Sequence, residues 1–142
     1  IALSDDLKNW KRYPGNPVFS HEIANTITGD AHIQKFGNLY VMFYFSAFVP
    51  SKPYKAYNTF ACSYDLVHWS DWQGADLVFP TEEYDNRYAH KSYVIKHKGV
   101  VYHFYCAVNE DRQRGIAVAT SKPMGQSKVH FPKLENAEKT AK

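Results

Sequence analysis

The chain repeats itself, and the repeat decides what each residue in it is for. The segment His32 to Ala47, HIQKFGNLYVMFYFSA, aligns without gaps on Tyr93 to Val108, YVIKHKGVVYHFYCAV, at an offset of 61 residues. Ile33 falls on Val94, Lys35 on Lys96, Asn38 on Gly99, and Phe43-Tyr44 on Phe104-Tyr105. A second element recurs at an offset of 59 residues: the run from Ala2 to Trp10, ALSDDLKNW, returns from Ala61 to Trp69 as ACSYDLVHW. It fades to Ala119-Thr120-Ser121-Lys122-Pro123.

Each unit reads as a strand, a tight turn, a second aromatic strand, a loop, and a third strand ending in Ser-x-Asp-Leu-x-x-Trp. Alternating β-branched and aromatic residues flank Phe36-Gly37-Asn38 and His97-Lys98-Gly99, which is the pattern of a hairpin, and no stretch holds a helical period. The expected fold class is all-β. A composition that is 44% hydrophobic and 16% aromatic suits bulky side chains packed between sheets, with Tyr40, Phe43, Tyr44, Phe104, Tyr105, Trp10 and Trp69 as candidates for that packing. Units of about 60 residues, each a small antiparallel sheet, fit propeller blades, longer than the roughly 40–45 residues of WD40 blades. The expected layout is the end of one blade over residues 1–20, a blade over 21–80, a further blade over 81–125, and a polar tail over 126–142. That is about two blades plus the closing strand of a preceding one.

Other classes are disfavoured by charge and by missing motifs. Lys plus Arg is 17 against 14 for Asp plus Glu, and the basic residues are scattered, so nucleic acid is not an expected partner. No run of about 18 apolar residues exists, and no membrane association is expected. The chain opens on Ile1 within a patterned segment, so a targeting segment is expected, if anywhere, upstream of it. Cys62 and Cys106 lie in apolar β-like runs and match no metal or redox spacing, so both are expected to be buried free thiols. There is no phosphate-cradling glycine loop, no nucleophile elbow and no zinc-ligand spacing of histidines.

The phrases SDDLKNW and SYDLVHW, the hairpins KFGNLYVMFYFSA and KHKGVVYHFYCAV, and the run RGIAVATSKP resemble the five-bladed β-propeller glycoside hydrolases, family 43 and relatives such as families 32, 62 and 117. The resemblance covers roughly residues 1 to 125. It implies a fragment of a five-bladed propeller that hydrolyses O-glycosidic bonds of a poly- or oligosaccharide, with inversion, and is secreted or periplasmic. In such enzymes the innermost strands of successive blades bring carboxylates to a central funnel: a base, then a pKa-modulating Asp, then an acid. Glycoside hydrolysis needs two proton-handling groups on opposite sides of the bond.

Carried over residue by residue, the resemblance places the modulating Asp three residues before the aliphatic residue of the inner strand, where Asp30 precedes Ile33. The acid stands four residues before the next such aliphatic, and four before Val94 stands His90 rather than Glu. Family 117 resembles this pattern in using a histidine as acid. With an ordinary pKa of about 6.5, His90 would need a neighbouring carboxylate such as Asp30 to stay protonated at neutral pH. The base of the first blade is expected upstream of Ile1, so this stretch alone is expected to be inactive.

Further candidates for substrate contact are Arg87 and Tyr88 on the loop before His90, Lys91 beside it, His32 beside Asp30, and Arg112 in a mixed-charge hairpin with Arg114. Arg87 could grip an acidic sugar or simply pair with Glu83 or Asp85. His32 could equally pack between blades, and Arg112 could sit in a solvated turn. Glu82, Glu83 and Glu110 are alternative acids away from the expected strand position. No cofactor is expected, although aspartates facing a propeller channel hold calcium in some relatives. The competing function is a propeller that binds carbohydrate, or another partner, without cleaving it. An unfinished stack of blades exposes apolar faces, so the isolated stretch is expected to self-associate.

Overall fold

A computed structural model describes residues 1–124; the polar tail expected over 126–142 lies outside the described residues. Those residues form nine strands in three antiparallel sheets, with no helix among them. The first sheet pairs β1 (Ala2–Leu3) with β2 (Lys11–Arg12). The second runs in order β3 (Ile27–Phe36), β4 (Leu39–Ala47), β5 (Ala56–Ser63) and β6 (Ser70–Asp71). The third runs β7 (Tyr88–His97), β8 (Val100–Val108) and β9 (Arg114–Thr120). Sequence neighbours pair in space throughout, the meander that a propeller blade requires.

The repeat in sequence is a repeat in register. His32 pairs with Phe43 as Tyr93 pairs with Phe104, and Gly29 with Phe45 as His90 with Cys106. Both hairpins close with two residues, but by different chemistry. Gly37 occupies the first central position with φ 62°, as a type II′ turn requires, whereas Lys98 and Gly99 both take positive φ, as type I′ requires.

The Ser-x-Asp-Leu-x-x-Trp motif does not end a third strand, as its sequence suggests, but joins the third strand to a short fourth. Ser63 Oγ accepts from the Leu66 amide at 2.9 Å, and Asp65 Oδ1 accepts from the Val67 and His68 amides at 2.9 and 2.8 Å. Leu66 sits at φ 68°, and its carbonyl accepts from Trp69 Nε1 at 3.0 Å. Ser4, Asp6, Leu7 and Trp10 repeat every one of these bonds between β1 and β2. Backbone amides aimed at the carboxylates hold both Asp6 and Asp65 well below the usual carboxylate range, with His68 the largest contributor at Asp65.

Side chains alternate across β4, and each face builds its own small core. Met42 and Tyr44 pack with Ala61 under Phe19 and Trp69, on the side of the first sheet. Phe45 and Ala47 pack with Ala56 and Tyr88, on the side of the third. The third sheet turns Ala89, Tyr105 and Ala107 back onto Val78. Burial of rings such as Tyr44, at 1% exposure, contributes about 2 kcal/mol each. Their hydroxyls stay bonded: Tyr44 donates to Asp71 at 2.6 Å and Tyr105 to Asp85 at 2.8 Å, and burial followed by these bonds raises both phenol pKa values. Trp69 joins the core as expected, while Trp10 remains 58% exposed. Cys62 and Cys106 are free thiols but half-buried rather than buried, because each faces the less covered side of its strand.

A polar clamp locks the second sheet to the third. Asn58 is fully buried; its side-chain amide donates to the Ala89 carbonyl at 3.2 Å, and its Oδ1 accepts from Ser92 Oγ at 2.7 Å. Ser92 has one proton to give, so His103 Nε2, 3.2 Å from Oγ, is the donor in that contact. Gln34 adds a side-chain bond to the Val94 carbonyl.

Candidate functional site

β3 and β7 each carry a β-bulge near their start, between Gly29 and His32 and between His90 and Tyr93. The residue after the last paired position is left-handed in both: Asp30 at φ 50° and Lys91 at φ 65°. Non-glycine residues in that region carry backbone strain, and bulges commonly re-aim side chains at functional edges. Here they turn the two repeat-equivalent residues toward each other. Lys91 Nζ lies 3.0 Å from Asp30 Oδ2, with both side chains about half exposed.

His90 occupies the position equivalent to Gly29. A Cβ on Gly29 would meet the Phe45 ring at 3.3 Å, so glycine there leaves Phe45 its place in the sheet. His90 then lies edge-on to that same ring, with centroids 5.5 Å apart, and 5.9 Å from the Tyr88 ring. Its Nδ1 is 3.1 Å from the Cys106 carbonyl oxygen, which can only accept, so Nδ1 carries the proton. Burial lowers the pKa of His90 below its ordinary value; Lys91 and Arg114 push the same way, and Asp30 opposes them weakly. The expectation that Asp30 would hold His90 protonated is therefore corrected. The carboxylate is committed to Lys91, and the histidine is neutral at pH 7.

His32 stands on the inter-sheet side, as the packing reading expected: Nδ1 accepts from the Val94 amide at 3.0 Å, and the ring stacks on Tyr93 at 4.5 Å. Arg87 pairs with neither Glu83 nor Asp85. It reaches Glu110 at 3.2 Å and covers the Tyr88 ring, because Asp85 is buried and spends its oxygens on the Thr81 and Glu82 amides and on Tyr105. Arg112 lies exposed in the β8–β9 turn at φ 65°, with its amide bonded to the Asn109 carbonyl. Glu82 and Glu83 are exposed on the loop before β7. The structure thus brings together Asp30, Lys91, His90 and Tyr88, and leaves Arg112 on the outer turn.

A cavity of about 670 Å³ opens on the other side of β3, lined by Arg12, Tyr13, Thr28, Asp30 and Tyr44 among others. Asp30 is on its lip; His90 and Lys91 do not line it. Among the described residues, no three His, Cys, Asp or Glu side chains converge to hold a metal ion, so they do not assemble a calcium cage. The pairing of Asp30 with Lys91 was not foreseen, although the 61-residue offset that relates them was visible in the sequence.

The fold and site define a class: stacked antiparallel sheets, repeated in sequence, that present polar residues from bulged strand edges. Among solved structures, the chain is similar to one named "Glycoside hydrolase", with 73% identity and a TM-score of 0.87, covering 95% of this chain and 38% of that one. It is equally similar to a structure described as a complex of BT0996 and RGII, at the same identity, TM-score and coverage. The chain thus spans about two fifths of the length of these relatives. No protein-family profile and no curated protein matches it.

Proposed function

We propose that this chain is part of a glycoside hydrolase built as a five-bladed β-propeller, with residues 21–80 and 81–125 as successive blades. The observation that carries the reading is the 73% identity, over 95% of the chain, to a structure named a glycoside hydrolase. The all-β meander, the repeated register and the bulged edges of β3 and β7 support it. The substrate is an oligo- or polysaccharide, and the RGII named with the second similar structure is the first to test. Asp30, His90 and Lys91 line the sugar site, Tyr88 and Arg87 flank it, and cleavage proceeds with inversion. Inversion needs carboxyl groups about 6.5–9.5 Å apart to admit water. A partner for Asp30 in that role comes from outside these residues.

Incubating the full-length protein with RGII-derived oligosaccharides and following the first-formed anomer by NMR tests both parts. Release of a sugar with inverted configuration is expected; retention removes the inverting mechanism, and no release removes the hydrolase. The neutral state of His90 favours one second reading, a propeller that binds saccharide without cleaving it. Tight binding with no product would select it.

A further inference from the structure

Two geometric facts about His90 go beyond a reaction class. Its Nδ1 proton is committed to the Cys106 carbonyl, which leaves Nε2 with the lone pair in the neutral ring. Among the described residues Nε2 has no hydrogen-bond partner, and no fully buried side-chain nitrogen or oxygen lacks one, so Nε2 opens to solvent. Beside it stand a cation and a carboxylate already joined, Lys91 and Asp30. The aromatic rings of Phe45 and Tyr88 hold the imidazole in place.

We propose that His90 is a substrate-orienting acceptor: Nε2 receives the proton of one sugar hydroxyl, while the Lys91–Asp30 pair takes the neighbouring hydroxyl, the ammonium donating and the carboxylate accepting. The ligand this suits is a saccharide ring with a vicinal diol. One hydroxyl gives its proton to nitrogen; the other both receives from Lys91 and gives to Asp30, so each hydroxyl is used once as donor. The strained backbone at Asp30 and Lys91 is what brings the pair to the same edge as His90. The lowered pKa of His90 fits the role, since an acceptor must be unprotonated. The assignment rests on the site reading above and gives His90 the opposite task from a proton donor.

Three measurements on the full-length protein separate the outcomes. Ring-nitrogen NMR of labelled histidine should show His90 with its proton on Nδ1 and a midpoint below the ordinary 6.5, and its Nε2 signal should move on adding oligosaccharide. His90→Phe should raise KM about tenfold with kcat little changed, the loss of one neutral hydrogen bond, and His90→Gln should recover part of it. The acid-side fall of kcat/KM should vanish in His90→Gln. A proton on Nε2, an unmoved signal with saccharide bound, or a loss of about 10²-fold or more in kcat with KM unchanged in His90→Gln would overturn the proposal. If the protein cleaves nothing, the hydrolase reading fails alone, and the NMR titration still decides the role of His90.

Discussion

Within the clamp between the sheets, His103 is the residue whose chemistry most directly reports packing. Burial, reinforced by the charge of His32, takes its pKa down to about 4, and Ser92, Asn58 and Phe43 are the groups around it. The unfolded chain therefore binds a proton between pH 6.5 and about 4 that the folded chain refuses, and stability falls as pH falls through that window. A shift of this size corresponds to about 3 kcal/mol, fully present above pH 6.5 and lost by about pH 4. Urea denaturation at pH 7 and pH 4 should show that loss, and His103→Gln should flatten it; an equal dependence in the variant would refute the assignment. None of this was legible in the sequence, where His103 looked like one aromatic-strand residue among many. Asp30 and His90 were legible only because a family pattern marked their positions, and the pattern carried no information on the charge of the neighbour. Lys91 captures the carboxylate that the sequence pattern assigns to the histidine.

The elements themselves were written plainly. Alternation around Gly37 and Gly99 located both hairpins, and the offset of 61 residues survives as an identical strand register. What the pattern concealed was the function of Ser-x-Asp-Leu-x-x-Trp, since a turn satisfied by its own side chains has no periodicity to read. The two hairpins make opposite predictions. Gly37 has positive φ and open space where a Cβ would stand, so Gly37→Ala should cost about 1 kcal/mol through the backbone alone. Lys98 holds φ 47° in the other turn, and Lys98→Gly should relieve a strain of about the same size. Thermal or urea unfolding of both variants checks the signs; a stabilised Gly37→Ala would contradict the turn assignment.

At the scale of the molecule, the faces of the sheets are not covered alike. The third sheet closes over Phe45 and Ala47 of the second, yet its own far side leaves Ile116 at 84%, Tyr93 at 56% and Val118 at 47% exposure. By the repeat, this face corresponds to the one that β7 covers on the second sheet. We expect a second copy to cover it when the 142-residue chain is isolated. Sedimentation at micromolar concentration should show a dimer or larger species, and Ile116→Lys with Val118→Lys should return it to monomer; a monomer without the substitutions would contradict this. The central claim is that the bulged edges of β3 and β7 form a sugar-cleaving site, and Asp30 tests it most directly. In the full-length protein, Asp30→Asn should lower the rate of sugar release by about 10²-fold or more while the fold, read by circular dichroism, is unchanged. Release at the parental rate by a folded Asp30→Asn variant would contradict the account.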